Sequence, residues 1–255
     1  MTLKVAARLA LDFLLPVRCL SCDRRVSSEH GLCASCWQKM PFYEKPWCYR
    51  LGTPFSYDMG AEVWSPRAIA SPPEFGRLRS VAAFEGPARD LVHGLKFGGR
   101  RDLAGPMGSW MARAGQELLT GESLIVPVPL HWSRLIARRF NQSADLARAV
   151  AGAGGGRFEP MLLRRSRRTR RQVGLSSADR RKNVRTAFTV SDDRLADLQG
   201  RHVILIDDVI TTGSTVTACC RTLLGAGAES VDVLTFAHAD VAGEASPSGG
   251  KTSLS

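Results

Sequence analysis

The chain has 255 residues, 44% hydrophobic and 23% charged, and its 35 Lys and Arg outweigh 24 Asp and Glu to give a formal net charge of +11. That balance describes an ordinary soluble globular chain with one main domain and a small appendage, and no run of about 18 apolar residues marks a membrane span. The positive excess favours polyanionic partners, whether the phosphates of a small substrate or those of DNA.

Taken in order, Met1 to Leu15 carry Lys4, Arg8 and Asp12 among Leu3, Ala7, Leu9, Leu11, Leu14 and Leu15. Arg8 and Asp12 interrupt any signal-peptide core, so the segment reads as a short amphipathic helix packed on the protein, and a cytoplasmic location is expected. Cys19-Leu-Ser-Cys22 and Cys33-Ala-Ser-Cys36 are two CxxC pairs ten residues apart. Within a CxxC turn both thiolates can face one ion, and two such knuckles complete a tetrahedral site. A structural Zn2+ held by Cys19, Cys22, Cys33 and Cys36 is therefore expected. Disulfides would need an oxidising compartment, and a redox CxxC would open a helix in a thioredoxin-like unit. His30, between the knuckles, reads as a surface histidine. Cys48 lies between Trp47 and Tyr49 without a CxxC partner and reads as a buried thiol. Residues 1–50 are thus assigned to the N-terminal helix and ribbon. Residues 51–79, rich in Pro, Gly and Ser, read as a linker wrapping the main domain with little regular structure. No internal repeat is expected.

The main domain is assigned to 80–240. Arg79 to Phe84 read as a strand and Ala88 to Leu95 as a short helix. The cationic, glycine-rich run Lys96-Phe-Gly-Gly-Arg-Arg101 then either faces an anion or caps that helix. Pro106 to Leu119 form another helix. Leu124 to Pro129 make a short apolar strand ending in a proline-stiffened turn. His131, Arg134, Arg138 and Arg139 follow on a helix from about Trp132 to Ala151, where Asn141-Gln-Ser-Ala-Asp145 interrupts the charge. After Gly152 to Gly156, Phe158 to Leu163 resume an extended pattern. Arg164 to Arg185 then hold ten basic residues against one acid, Asp179. With no apolar stripe, such a run does not pack alone. It reads either as a mobile lid, with Arg170, Arg171 and Gln172 at its centre, or as a track for nucleic-acid backbone. Missing interleaved aromatics weaken the track. Thr186 to Val190 read as a strand, Arg194 to Leu198 as a turn of helix, and Ser230 to Ala237 as a buried strand. Cys219 and Cys220 read as packing thiols, and 241–255 as a disordered tail.

The most informative stretch is Val203 to Thr215. Val203-Ile-Leu-Ile206 read as a strand buried on both faces, which points to an α/β parallel sheet. Asp207 and Asp208 end it. Thr211, Thr212, Gly213, Ser214 and Thr215 then lead into helical spacing from Val216 to Leu224. Converging backbone N–H groups at a helix N-terminus make a monophosphate site beyond the carboxyl end of the strand. Two carboxylates beside it, with nothing near in sequence to neutralise them, suit a ligand that carries hydroxyls or a metal next to its phosphate. A sugar phosphate meets that description.

This stretch resembles the signature of type I phosphoribosyltransferases, which bind phosphoribosyl pyrophosphate (PRPP). The resemblance implies that Asp207 and Asp208 hold the ribose hydroxyls and act in catalysis, and that Thr211 to Thr215 hold the 5′-phosphate. It sets Pro129 and His131 near the pyrophosphate, with Mg2+ bridging its oxygens, and leaves open whether Arg170, Arg171 and Gln172 belong to a lid over PRPP or to the nucleic-acid track. The whole order of pieces resembles the ComF family. That likeness is carried by Cys19 to Cys36, Leu95-Lys-Phe-Gly98, Val126-Pro-Val-Pro129, Arg139-Phe-Asn-Gln-Ser143, Gln172-Val-Gly-Leu-Ser176, Arg181-Lys-Asn-Val184 and residues 203–215. It implies a type I phosphoribosyltransferase-like parallel sheet flanked by helices, with a small N-terminal zinc ribbon of four cysteines. By activity, it implies transfer of a phosphoribosyl group to an unidentified acceptor. The alternative is a non-enzymatic accessory protein for DNA uptake or processing, with single-stranded DNA or DNA-processing proteins as partners. Some ComF members carry further Cys pairs after the first ribbon, whereas here only Cys48 remains.

Overall fold

The computed structural model describes residues 17–26, 31–130, 140–165 and 187–239. Two single-turn helices, α1 (Ala34–Gln38) and α2 (Pro66–Ala70), precede strand β1 (Leu78–Ala83) and helices α3 (Gly86–Phe97) and α4 (Ala104–Ala114). Strand β2 (Leu124–Pro127), helix α5 (Gln142–Gly154) and the short strands β3 (Arg157–Phe158), β4 (Leu163–Arg165) and β5 (Phe188–Val190) follow. Helix α6 (Leu195–Leu198), strand β6 (His202–Ile210), helix α7 (Ser214–Gly225) and strand β7 (Ser230–His238) complete the order.

Five strands form one parallel sheet in the order β1-β7-β6-β2-β3, while β4 and β5 pair antiparallel beside it. Because β6 has helices over both faces, Val203, Ile204, Leu205 and Ile206 are all fully buried. Their side chains alternate between two cores. Ile204 and Ile206 face one core with Leu91 and Leu95 of α3, Met107 and Met111 of α4, and Leu146 and Val150 of α5. Val203 and Leu205 face the other with Val216, Cys219 and Leu223 of α7. Cys219 and Cys220 are both buried, as packing thiols should be, and burial pushes the Cys220 thiol up to about 12.

The chain leaves β2 through α5 on the first face and leaves β6 through α7 on the second. These two neighbouring strands therefore mark the point where connections diverge, and the crevice beyond their carboxyl ends is where such sheets bind ligands. Several boundaries differ from the sequence expectation. The helix expected from about Trp132 is described from Gln142, with Asn141 as its cap; residues 131–139, including His131 and three arginines, lie outside the described residues. The segment 1–16, most of the basic run (166–186) and the tail from 240 lie outside them as well. The stretch expected as linker contains α2, whose N-cap Ser65 accepts the Ala68 N–H. Among the described residues no helix is long and apolar enough to cross a membrane.

An aromatic series fastens the N-terminal unit to the sheet. Trp37 contacts Phe42, both meet Trp110 of α4 edge-on, and Trp110 stacks on Phe236 of β7 with ring centroids 6.2 Å apart. Helices α4 and α5 approach most closely at Gly108, where a Cβ would collide with Ala149 and its backbone. Gly108→Val should therefore cost about 1–3 kcal/mol by overpacking. Gly105→Ala on the same helix, where the space is open, should be neutral or stabilise by up to about 1 kcal/mol. Chemical denaturation of both variants checks the contrast.

Candidate functional site

Asp207 and Asp208 do not end the strand, as the sequence suggests they do: β6 runs on through Val209 and Ile210, which still pair with β7. The acids lie just past the last β2 pair, Pro127 with Ile206, at the mouth of this crevice. Their side chains leave opposite faces of the strand, so different elements satisfy them. Asp207 Oδ1 accepts the Ser143 hydroxyl at 2.9 Å and the Asp208 backbone N–H at 2.9 Å. Ser143 is held there by the start of α5. Asn141 caps that helix by accepting the Ser143 N–H at 3.1 Å, and its amide donates to the Val128 carbonyl at 3.3 Å. The residues after β2 are thereby tied to the Asp207 carboxylate, next to Pro129. Asp208 is buried and pairs with Lys96 Nζ at 2.9 Å, from the last turn of α3. Its other oxygen, Oδ2, is buried and accepts no hydrogen bond among the described residues.

This arrangement corrects one sequence reading: the acids do have a neutralising partner, because Lys96 reaches them from another element. Of the two readings of the Lys96 to Arg101 run, the helix cap is the one seen, with Lys96 in the last turn of α3 and Gly98 as its C-cap. Lys96 pairs with Asp208, Arg100 with Asp102, and Arg101 makes two 2.8 Å hydrogen bonds to Asp145. Ser143 and Lys96 are the functional contacts that sequence reasoning misses. Ser143 stands two residues after a capping Asn, a local signal that is legible as a helix start.

Burial, and then the charge of Asp208, push the Asp207 carboxyl up to about 7, against the Ser143 hydroxyl, the Asp208 N–H and the Lys96 charge. Near neutral pH this group exchanges its proton readily, and any ligand that donates to it or brings positive charge favours the ionised form.

Beyond Asp208, Gly213 adopts φ +73° and is the N-cap of α7. A side chain there would be strained, so glycine permits the turn that aims the first N–H groups of α7 outward. The Thr212 hydroxyl donates to Ser214 Oγ at 3.2 Å, and the Thr217 N–H to the Gly213 carbonyl at 2.8 Å. Thr211, Thr212, Gly213, Ser214 and Thr215 thus form a compact polar loop over a helix N-terminus, suited to a phosphate. A cleft of about 240 Å³ opens on its outer side, lined by Thr211, Thr212, Gly213, Arg221, Arg67 and Phe75 among others. Asp207 and Asp208 do not line it.

At the other end of the chain Cys19, Cys22, Cys33 and Cys36 place all four sulfurs within 4.8 Å of one another. The Cys22–Cys33 sulfur distance of 3.7 Å matches the ~3.8 Å edge of a tetrahedron with Zn–S bonds of about 2.3 Å. The Cys33 N–H donates to Cys19 Sγ at 3.2 Å. Against the burial that would raise it, N–H groups of Cys22, Cys33 and Ser21 bring the Cys19 thiol down to about 6. Burial and the neighbouring sulfurs instead push Cys36 up to about 12. Four clustered thiols cannot all ionise without a cation, and the donor set fits Zn2+. The Ser21 hydroxyl, donating to Asp90, and Arg100, donating to the Leu20 carbonyl at 3.1 Å, dock the knuckle on α3 and its C-terminal loop.

Comparison with known proteins agrees with both halves. The double zinc ribbon domain matches residues 10–65 and the phosphoribosyl transferase domain matches residues 162–253. DNA utilization protein YhgH of Escherichia coli strain K12 is 32% identical over 228 residues, covering 86% of this chain and 96% of that protein. Competence protein F of Haemophilus influenzae is 25% identical over 228 residues, covering 87% and 97%. Among solved structures, glutamine phosphoribosylpyrophosphate amidotransferase from B. subtilis complexed with ADP and GMP is 21% identical. That match has a TM-score of 0.39 and covers 56% of this chain and 30% of that one.

The raised Asp207 pKa carries a pH signature. A carboxyl whose folded pKa lies above its unfolded value binds its proton more tightly when folded. The stability this confers is present below about pH 4 and is lost as pH rises through about 7. Asp207→Asn should remove that loss, so the variant should be more stable than wild type at pH 8, with the gap closing toward pH 4. Urea denaturation of both proteins across this range measures it.

Proposed function

This chain belongs to the ComF family, that of DNA utilization protein YhgH and competence protein F, and on that footing we propose that it binds PRPP with Mg2+ and transfers the phosphoribosyl group to an acceptor, releasing pyrophosphate. The observation that carries this reading is the acidic pair near the carboxyl end of β6, held by Ser143 and Lys96 from two different helices and followed by the Thr211–Thr215 loop. In this proposal Asp207 and Asp208 accept the ribose 2′- and 3′-hydroxyls, and the loop N–H groups hold the 5′-phosphate. As the C1′–oxygen bond breaks, the electron pair leaves with pyrophosphate and positive charge develops on the ribose. Carboxylates held beside the ribose stabilise that charge more than they stabilise the ground state. The acceptor then supplies the electron pair for the new bond at C1′. Mg2+, when bound, would neutralise pyrophosphate oxygens; Asp208 Oδ2 is buried without a hydrogen-bond partner among the described residues. Pro129 lies beside this crevice, while His131, Arg170, Arg171 and Gln172 lie outside the described residues.

The relatives' names, a DNA utilization protein and a competence protein, support a role in DNA use, and the second reading we propose is that the fold serves it by PRPP sensing or nucleic-acid binding without transfer. The formal charge of +11 is compatible with both. We further propose that Cys19, Cys22, Cys33 and Cys36 hold a structural zinc that supports the N-terminal unit rather than the reaction.

Calorimetry with PRPP and Mg2+ tests the ligand. Asp207→Asn combined with Asp208→Asn removes two charge-assisted acceptors worth roughly 1.5–3 kcal/mol each, so affinity should fall by well over tenfold while the circular dichroism spectrum is kept. Equal binding by wild type and variant would refute the assignment. Pyrophosphate release in an acceptor screen separates transferase from sensor. In the DNA reading, affinity for single-stranded DNA falls with salt at a slope of about 0.7 per phosphate neutralised. Cys19→Ser should lose the zinc and loosen the N-terminal unit, leaving the sheet folded, as elemental analysis and protease mapping would report.

A further inference from the structure

Sequence reading finds no repeat, yet residues 46–71 reproduce the backbone of the cysteine knuckle. In the first unit the Cys19 N–H donates to the carbonyl five residues on, at Arg24, and the Asp23 N–H returns to the Cys19 carbonyl. In the second, Cys48 donates to Thr53 and Gly52 returns to Cys48, at the same spacings. Val26 donates to Val17 and Phe55 to Pro46, and the bridges Arg18–Arg25 and Trp47–Pro54 flank the two turns alike. Asp23 and Gly52 turn the chain with nearly identical positive φ, 62° and 63°. The second half matches too. The Cys33 N–H donates to Cys19 Sγ at 3.2 Å, and the Ser65 N–H to Cys48 Sγ at 3.1 Å. Each is followed by a single-turn helix, α1 after Cys33 and α2 after Ser65.

This correspondence sets Cys48 where Cys19 stands, Leu51 at Cys22, Ser65 at Cys33 and Ala68 at Cys36. The double zinc ribbon match over residues 10–65 implies a metal in each half. The second donor set does not fit one. Leu51 and Ala68 offer no ligand atom, and Ser65 Oγ accepts the Ala68 N–H. Cys48 is fully buried, and its sulfur accepts the N–H groups of Leu51 and Ser65 at 3.4 and 3.1 Å. Ala68 is fully buried as well, and Leu51 packs against the core that holds Phe75 and Leu78. We infer that residues 46–71 are a second ribbon whose metal centre has been replaced by a hydrogen-bonded thiol and apolar packing. A tetrahedral ion cross-links four chain positions; here burial and hydrogen bonding do that work. The unit remains in place against the transferase-like domain, where Leu51 and Arg67 help line the cleft beside Thr211 to Gly213.

The test uses the full-length protein. Cys48→Ser should carry the same zinc as wild type, measured by elemental analysis. The triple variant Leu51→Cys, Ser65→Cys, Ala68→Cys should carry about one zinc more than wild type, because the backbone already supplies the knuckle. After chelation of wild type, iodoacetamide should modify Cys19, Cys22, Cys33 and Cys36 while Cys48 stays protected, as read by peptide mass spectrometry. Loss of zinc in Cys48→Ser, or labelling of Cys48 that appears only on chelation, would overturn the inference. A folded triple variant that gains no zinc would refute the shared ligand geometry. Should that variant fail to fold, the zinc content of Cys48→Ser and the labelling pattern decide.

Discussion

Two adjacent carboxylates within a buried strand cannot both stay charged without partners, and much of the surrounding architecture answers that constraint. An ionised carboxylate taken from water without compensation shifts its pKa or destabilises the fold. Asp208 meets the constraint through Lys96, so α3 must run far enough to bring its last turn over β6. Asp207 meets it through Ser143, so α5 must begin where Asn141 can cap it. One acid is paired with a cation while the other is held near neutrality in its proton affinity. The pair is thus asymmetric before any ligand arrives.

The same constraint explains what is legible in the sequence. Val203 to Ile206 can be read because a strand buried on both faces needs an unbroken apolar run, and the Thr-rich loop can be read because glycine and hydroxyl residues are spaced for one anion. The four cysteines are legible through ligand spacing. Lys96 and Ser143 are not, since each lies far along the chain from the acids it touches and looks locally like a helix-end cation or a polar interruption. The cations of the Lys96–Arg101 run leave two readings open for the same reason: their acidic partners include Asp145 and Asp208, which only folding brings near. Helix α5 is described from Gln142, where Asn141 caps it, and the basic residues counted before it in the sequence pattern, 131–139, lie outside the described residues.

The two N-terminal units show how a small fold outlives its metal. In the first, four sulfurs converge beside the buried Leu20, Leu32 and Met40. In the second, the corresponding positions are occupied by one thiol, a hydroxyl, a methyl and a leucine that reaches the main core. Letters that mark a ribbon by ligand spacing vanish when the ligands do, but the turn at Gly52 and the N–H groups aimed at Cys48 persist because the backbone still needs them. The aromatic series from Trp37 to Phe236 and the contacts from Arg100 hold the first unit to the sheet.

The strand order has a consequence for the way the chain reaches this state. Among the named strands β1 neighbours β7 alone, while its other edge takes an isolated antiparallel bridge from Phe42 to Ala82, so Leu78 to Ala83 find their strand partners in Val233 to His238. During synthesis β1 leaves the ribosome long before β7 exists, and Lys96 emerges well ahead of Asp208. The cysteine knuckle, whose contacts are local, is able to form early. The sheet cannot close until nearly the whole chain has been made. Pairings across such sequence distances fold slowly and leave apolar strand edges open to other chains in the interval. Nascent chains of this protein are therefore most exposed to aggregation after their first unit has already folded.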